Sequence, residues 1–127
     1  MKAISTPQAP AAIGPYSQAI VAGDTVYVSG QLPIDPTTGE FATGGIKALA
    51  AQSLTNIKNI LATEGLEMGD VVKVTVLLRD ISDFAAVNEV YAQFFSAPHP
   101  ARSAFAVAAL PKGADIEIEA IAVKQQR

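Results

Sequence analysis

An arginine behind a proline-containing turn is the first residue whose type and position could support chemistry. Arg102 follows Pro100 and Ala101 and comes directly before the apolar run 103–109. A guanidinium is always charged, and its planar fork of N–H donors matches a carboxylate with two bonds at once. The pattern therefore fits a residue that binds a small organic acid. It also fits an ordinary surface arginine, although the apolar run favours the first interpretation.

Two carboxylates near the end of the chain are the second candidate. Glu117 and Glu119 alternate with Ile116 and Ile118, and such alternation predicts a strand that carries both acids on one face. If another chain covers that face, the partial loss of water raises the pKa of a carboxyl group. The group could then accept or relay a proton from water near neutral pH. A solvated strand end is the alternative interpretation.

Other common chemistries find little support in the residue types. The only histidine, His99, stands between two prolines without carboxylates at ligand spacing, which predicts an exposed structural residue and no metal site. Ser29 precedes Gly30 but lacks a nucleophile motif and an evident histidine partner, which favours a strand-end serine that satisfies backbone groups. The sequence contains no cysteine, and the lack of a phosphate-binding glycine motif argues against a nucleotide cofactor.

Length and composition describe one folded domain. The 127 residues are 50% hydrophobic and 17% charged, which is typical of a chain with a packed core. The net charge is -3, and the scattered basic residues offer no surface for a polyanion. The longest apolar run, 104–110, is far shorter than the roughly 18 residues of a membrane span. We therefore expect a single soluble domain, 1–127, in the cytoplasm.

The periodicity of the apolar residues predicts the order β-β-(β)-α-β-α-β-β after an extended, proline-rich arm over residues 1–16. A three-and-four spacing predicts a first helix that begins at Ile46 and is capped by Gly65. Asp83 is expected to cap a second helix, which Pro98 stops. Strands are expected over 17–22, 25–30, 71–78, 103–109 and 115–123, with a short edge segment around 33–39. Within the strand 71–78, one face is expected to carry Val72, Val74, Val76 and Leu78.

Two helices can cover only one face of a sheet with five or six strands. On the last strand, the uncovered face would carry Glu117, Glu119, Ile121 and Val123, which are acidic at one end and apolar at the other. An apolar half-face open to water would be an unusually large patch. We therefore expect another copy of the chain to cover it, although the count of layers does not give the number of subunits.

Five short segments carry a recognisable pattern along the chain. They are AIGPYSQ at 12–18, VSGQ at 28–31, PTTG at 36–39, PARS at 100–103, and LP at 110–111 followed by IEIEA at 116–120. In this order and at these separations, the segments resemble the Rid (RidA/YjgF) family of imine and enamine deaminases. The resemblance runs over essentially the whole chain, because the segments extend from residue 12 to residue 120.

The resemblance implies a fold, an assembly and a reaction. The fold would be a chorismate-mutase-like α/β (α+β) two-layer sandwich, with two helices on one face of a mixed sheet of five or six strands. The assembly would be a homotrimer with its sites in the clefts between subunits. The reaction would be the cofactor-free hydrolysis of 2-imino acids such as 2-iminobutanoate and 2-iminopropanoate to 2-oxo acids and ammonia, which protects pyridoxal-phosphate enzymes from these reactive compounds.

The same resemblance assigns roles to individual residues. Arg102 would bind the substrate carboxylate, and Glu117 would position or activate the attacking water. Further pocket-lining positions would be Tyr16, Ser29, Gly30, Phe84, Asn88 and Ala104. Many family members have cysteine where this chain has Ala104, so a role at that position could come only from backbone groups. The segment 96–100 also looks shorter than in close relatives, which bears on substrate range.

Two other functions stay open at this point. One is a binding or regulatory module that holds carboxylate metabolites without turnover. The other is an endoribonuclease, a name that some relatives carry. The acidic balance of the chain argues against RNA binding, because contacts from Lys and Arg to phosphates normally supply most of that affinity.

Overall fold

The computed structural model describes residues 1–125, which form eight strands and two α-helices. The helices are α1 (Ile46–Ala62) and α2 (Phe84–Phe94). The strands are β1 (Lys2–Ile4), β2 (Ala19–Ala22), β3 (Thr25–Gln31), β4 (Ile34–Asp35), β5 (Glu40–Phe41), β6 (Val71–Leu78), β7 (Ala101–Ala106) and β8 (Ile116–Val123). Neither helix in this part of the chain combines the length and apolar character that crossing a membrane requires.

Six of the strands form one mixed sheet in the order β1-β2-β3-β8-β6-β7. β6 and β7 run parallel, and every other neighbouring pair is antiparallel. β4 and β5 form a separate small hairpin. The two helices lie beside each other, and α1 packs on β3 and β8. The two-layer sandwich with helices on one face of a mixed sheet is confirmed.

The hydrophobic core lies between the helices and the face of the sheet beneath them. On β8, Ile116 and Ile118 are fully buried, whereas Glu117 and Glu119 alternate with them on the other face. The predicted apolar stripe of α1 supplies most of the opposing surface. Its fully buried members are Ala50, Leu54, Ile57, Ile60 and Leu61.

The end of α1 confirms the expected role of Gly65. This glycine has a φ of 71°, a left-handed conformation that costs other residues more. Its N–H donates to the carbonyl of Ala62 over 3.1 Å, and the N–H of Leu66 donates to the carbonyl of Leu61 over 3.1 Å. These two bonds satisfy carbonyls that the helix end leaves free, as in a Schellman motif.

The amino-terminal arm contains a strand that the sequence analysis did not predict. β1 pairs with β2 in an antiparallel register that places Ile4 opposite Ala19. Ile4 is buried, so the arm extends the sheet at its edge before it turns away. A three-residue strand carries too little periodicity to stand out beside several prolines.

One face assignment on β6 is wrong. Val74, Val76 and Leu78 lie in the core as predicted, but Val72 is 41% exposed. The pairing with β8 shifts between Val71 and Lys73, which lie opposite Ala122 and Ile121. The strand thus has an extra residue there, and a bulge of this kind reverses the alternation of side chains beyond it.

The second helix begins differently from the prediction. Asp83 makes no side-chain capping bond; instead, Asp80 accepts a hydrogen bond from the backbone N–H of Ser82 at 2.9 Å. A short 3₁₀ turn, Ile81–Asp83, therefore precedes α2.

The last two strands differ at their ends from the predicted ranges 103–109 and 115–123. β7 spans Ala101–Ala106, which places Arg102 second in the strand. β8 begins one residue later than predicted, at Ile116.

Candidate active site

The residues expected to carry chemistry fall into two clusters on opposite faces of the sheet. Arg102 on β7 lies opposite Val74, which is buried under the helices. Glu117 on β8 lies opposite Leu77, whose side chain points to the other face because it is three residues from Val74. β6 separates the two strands, so they are about 10 Å apart across the sheet.

The arginine cluster is built on one face of α2. Nη1 of Arg102 donates to Oδ1 of Asn88 at 2.7 Å. The guanidinium carbon lies 4.7 Å from the ring centroid of Tyr91 and 5.2 Å from that of Phe84. Residues 84, 88 and 91 follow the spacing of one helical face. The helix therefore holds the guanidinium with one hydrogen bond and two cation-π contacts.

The charge of Arg102 is not neutralised within the part of the chain that the structure describes. Arg79 makes an ion pair with Asp115 at 2.7 Å, but no carboxylate of residues 1–125 lies within ion-pair distance of Arg102. The arginine borders a cavity of about 340 Å³ together with Asn88 and His99. A positively charged fork that opens on a cavity can bind an anion from outside the chain.

The carboxylate cluster depends on a close approach between β8 and β3. A Cβ atom added to Gly30 would lie 2.8 Å from Cδ of Glu117 and 2.9 Å from its Oε2. The pairing of β3 with β8 is irregular between Val28 and Gln31, so Gly30 lies in this interruption. The glycine leaves the space that the carboxyl group occupies.

The environment of Glu117 changes its acidity in the expected direction. Partial burial raises the pKa of its carboxyl group, and the nearby charge of Glu119 raises it further. Both effects disfavour the ionised form. The pKa of Glu117 is thus raised within a single chain, which favours a role in accepting a proton.

A cavity of about 740 Å³ opens beside Glu117. Tyr16, Ser29 and Gly30 line it with Glu117, so four of the predicted site residues share one space. Its other walls come from Gln18, from residues 10–13, from residues 31–39 and from the turn at residues 111–112.

Ser29 bonds to neighbouring backbone besides lining the large cavity, whereas Ala104 and His99 lie outside that cavity. Ser29 donates its hydroxyl hydrogen to the carbonyl of Ser17, and its N–H donates to the carbonyl of Gln18 at 2.9 Å. The interpretation of Ser29 as a residue that satisfies backbone groups is thus confirmed. Ala104 is partly buried against the core and lines neither cavity. His99 is exposed, as predicted.

Two contributors to the site were not predicted from sequence. Tyr91 was not among the predicted site residues, although its spacing from Phe84 places both rings on the face that meets Arg102. Gln18 was noted only as part of a motif. Within residues 1–125, no three His, Cys, Asp or Glu side chains converge on a point where they could hold a metal ion.

These features define a class. The chain is a two-layer α/β protein of chorismate-mutase-like fold. One face of its sheet carries a guanidinium without an ion-pair partner among residues 1–125, and the other carries a partly buried carboxyl group. Within that class the chain belongs to the Endoribonuclease L-PSP family, whose model matches residues 6–124. This is the family to which the sequence motifs point under the name Rid.

Individual relatives are similar over nearly the whole chain. The 2-iminobutanoate/2-iminopropanoate deaminase of Capra hircus is 58% identical over 121 residues, which cover 95% of this chain and 88% of the relative. The human protein of the same name is 52% identical over 123 residues, or 97% of this chain and 90% of the relative.

Solved structures have the same fold. RidA from an Antarctic Psychrobacter species superposes with a TM-score of 0.94 at 52% identity, covering 98% of this chain and 100% of that one. TdcF of E. coli with bound serine superposes with a TM-score of 0.92 at 47% identity, again covering 98% and 100% of the two chains.

Proposed function

We propose that this protein is a cofactor-free 2-iminobutanoate/2-iminopropanoate deaminase, which hydrolyses reactive 2-imino acids to 2-oxo acids and ammonia and so protects pyridoxal-phosphate enzymes. Relatives that are more than half identical carry this name. The single observation that carries the proposal is the guanidinium of Arg102, held by α2 and free of a carboxylate partner among the described residues. It matches the carboxylate that every 2-imino acid carries.

The chemistry needs a bound acid group and an aimed water molecule. Arg102 would hold the substrate carboxylate, which fixes the adjacent C=N carbon. Glu117 would accept a proton from water as the water oxygen attacks that carbon. The nitrogen of the resulting carbinolamine takes up the proton that Glu117 holds. The C–N bond then breaks and ammonia leaves as the hydroxyl group gives up its proton to Glu117 and the C=O bond of the 2-oxo acid forms. A protonated imine is already electrophilic, so orientation supplies much of the acceleration.

The proposed site includes two copies of the chain. One chain cannot place a small substrate against both Arg102 and Glu117, because they lie on opposite faces of its sheet. In a homotrimer with clefts between subunits, Arg102 and Asn88 of one copy would meet Glu117, Tyr16 and Ser29 of the next. The exposure of Tyr27 (50%) and Phe105 (47%) supports a covered face.

The remaining assignments have narrower support. Binding of a small amino-acid-like molecule is supported by the relative TdcF, whose structure holds serine. Tyr16, Ser29, Gly30, Phe84 and Asn88 keep their proposed roles in lining the shared cleft, and a role of Ala104 would come only from its backbone groups, since its side chain packs against the core. A soluble protein in the cytoplasm is part of the proposal, since the cysteine-free sequence suits a reducing compartment.

The deciding experiment generates the imine in the assay. A threonine dehydratase releases 2-iminobutanoate, and the rate of 2-oxobutanoate and ammonia formation is followed with increasing amounts of this protein. The proposal expects acceleration in proportion to the protein added. Binding of 2-oxobutanoate without any acceleration would overturn the deaminase in favour of a binding module. Cleavage of RNA by Arg102→Ala and Glu117→Gln variants at the wild-type rate would point to a ribonuclease.

A further inference from the structure

Gln18 has a buried side-chain amide whose polar atoms all bond to residues 6–10 of the amino-terminal arm. The residue is only 3% exposed. Its Oε1 accepts from the N–H of Thr6 at 2.7 Å, and its Nε2 donates to the carbonyls of Thr6 at 3.0 Å, Ala9 at 3.3 Å and Pro10 at 2.8 Å. One side chain thus holds the backbone of residues 6–10.

Residues 11–16 of the arm form one wall of the cavity beside Glu117. Ile13 and Tyr16 line that cavity but are 79% and 53% exposed, so packing in the core does not fix them. Between residues 11 and 16 the backbone has one internal hydrogen bond, from the N–H of Tyr16 to the carbonyl of Gly14 at 2.9 Å. The position of this segment therefore depends on its two ends.

The segment 11–16 is held at one end by the side chain of Gln18 and at the other end by the backbone of Ser17 and Gln18. The far end is held where Ser29 bonds to the backbone carbonyls of Ser17 and Gln18. The near end is held by the Gln18 side chain at Pro10. Without that side chain, the segment 11–16 would be anchored at one end only. A buried carbonyl that loses its donor costs free energy, so the near end would move toward water.

We propose that Gln18 is a positioning residue for the candidate site, which fixes the arm so that Tyr16 and Ile13 form the cavity wall against which substrate binds. This inference rests on the proposed function for the identity of the substrate. It assigns Gln18 an effect on binding, because Gln18 bonds neither Arg102, which is held by Asn88, nor Glu117, which lies on β8. Disturbing Gln18 therefore raises KM and leaves the chemical step largely intact.

The sharpest variant is Gln18→Glu, which keeps the shape and the acceptor of the side chain. It replaces the Nε2 donor by an oxygen that faces three carbonyl oxygens. We expect lower backbone 15N order parameters over 11–16, a rise in KM of about ten-fold, and a kcat within about two-fold of wild type. Gln18→Met, which lacks both donor and acceptor, provides a second variant if the first does not fold.

Asn59→Asp is the matched control. Nδ2 of Asn59 donates to the carbonyl of Gln8 in the same arm at 3.0 Å, but this bond is exposed, so water replaces it. The control is expected to leave the order parameters over 11–16 and KM near wild type. Circular dichroism and a cooperative thermal transition establish that each variant is folded.

A folded Gln18→Glu or Gln18→Met variant with unchanged order parameters over 11–16 would overturn the inference. Lower order parameters with an unchanged KM would also overturn it, because the anchor would then have no consequence for the site. If the wild-type protein shows no turnover, the proposed function fails separately. The Gln18 inference is then tested through the Kd for 2-oxobutanoate in place of KM.

Discussion

The carboxyl group of Glu117 occupies the space that a side chain on Gly30 would fill. Cδ of Glu117 lies 2.8 Å from the position of a Cβ atom built on Gly30, closer than such atoms approach in folded proteins. β3 therefore accommodates the carboxyl group only because residue 30 has no side chain. The position of the Glu117 carboxyl group on β8 thus depends on the glycine in the motif on β3.

Gly30→Ala is expected to displace the Glu117 carboxyl group and lower kcat/KM for 2-iminobutanoate about 10- to 100-fold, since small misplacements of reacting groups carry costs of this size. Gly69→Ala is the control, because a Cβ there meets nothing within 4 Å. Steady-state kinetics of both variants test the relationship. Equal activity in the two variants would show that the position of the carboxyl group is unimportant.

Arg102→Ala is expected to remove the acceleration of imine hydrolysis while the fold is retained. Truncating one partner of a buried charge pair costs on the order of 2–5 kcal/mol, and Arg102 has a proposed carboxylate partner only in the substrate. Arg79→Ala removes an exposed ion pair with Asp115 and should leave turnover unchanged. Near-normal turnover in Arg102→Ala would remove the basis of the proposed function.

Tyr91 is expected to act on Arg102 through its ring and not through its hydroxyl. The hydroxyl oxygen is buried and has no hydrogen-bond partner among the described residues, while the ring lies 4.7 Å from the guanidinium carbon. Tyr91→Phe should keep the wild-type KM and be at least as stable, because it removes an unsatisfied polar group. Tyr91→Leu should raise KM. A large effect of Tyr91→Phe on KM would assign a role to the hydroxyl instead.

The sequence indicates the chemistry of the site residues better than it indicates the face of the sheet on which each residue lies. Arg102 and Glu117 stand out because a charged residue within an apolar strand pattern is unusual, and their type alone indicates carboxylate binding and proton transfer. The helices and the core strands follow from periodicity. That the two residues lie on opposite faces depends on pairing register, which only the folded sheet specifies.

Features built from very few residues cannot be predicted from the periodicity of apolar residues. The extra residue at Val72 reverses the expected alternation, and nothing in a run of β-branched residues marks a bulge. Likewise, the amide of Gln18 binds carbonyls 8 to 12 residues away, along an arm whose path is irregular. These contacts depend on tertiary structure, which local propensity does not encode.

The stability of the protein should depend on pH through Glu117. Its raised pKa means that the folded state binds the proton more tightly than the unfolded state. Stability is therefore lost as pH rises from the ordinary glutamate value, about 4.3, through the raised one. Glu117→Gln is expected to be more stable than wild type at pH 7, and the difference should vanish below about pH 4.

Thermal unfolding at several pH values and one fixed protein concentration measures this difference. Glu40→Gln changes an exposed carboxylate and should follow the wild-type profile. If Glu117→Gln is less stable than wild type at pH 7, the burial of this carboxyl group is compensated by contacts absent from a single chain.

Mixed assemblies can test whether each site draws on two copies. Arg102→Ala and Glu117→Gln chains are expected to be inactive alone, because each lacks one required group. When the two variants are co-expressed, a cleft that pairs the intact Arg102 of a Glu117→Gln copy with the intact Glu117 of an Arg102→Ala copy regains both groups. Random mixing in a cyclic trimer gives such pairs at about one quarter of the clefts, so activity should recover to about that fraction of wild type. If each site lay within a single chain, every site in the mixture would still lack one group and no activity would return.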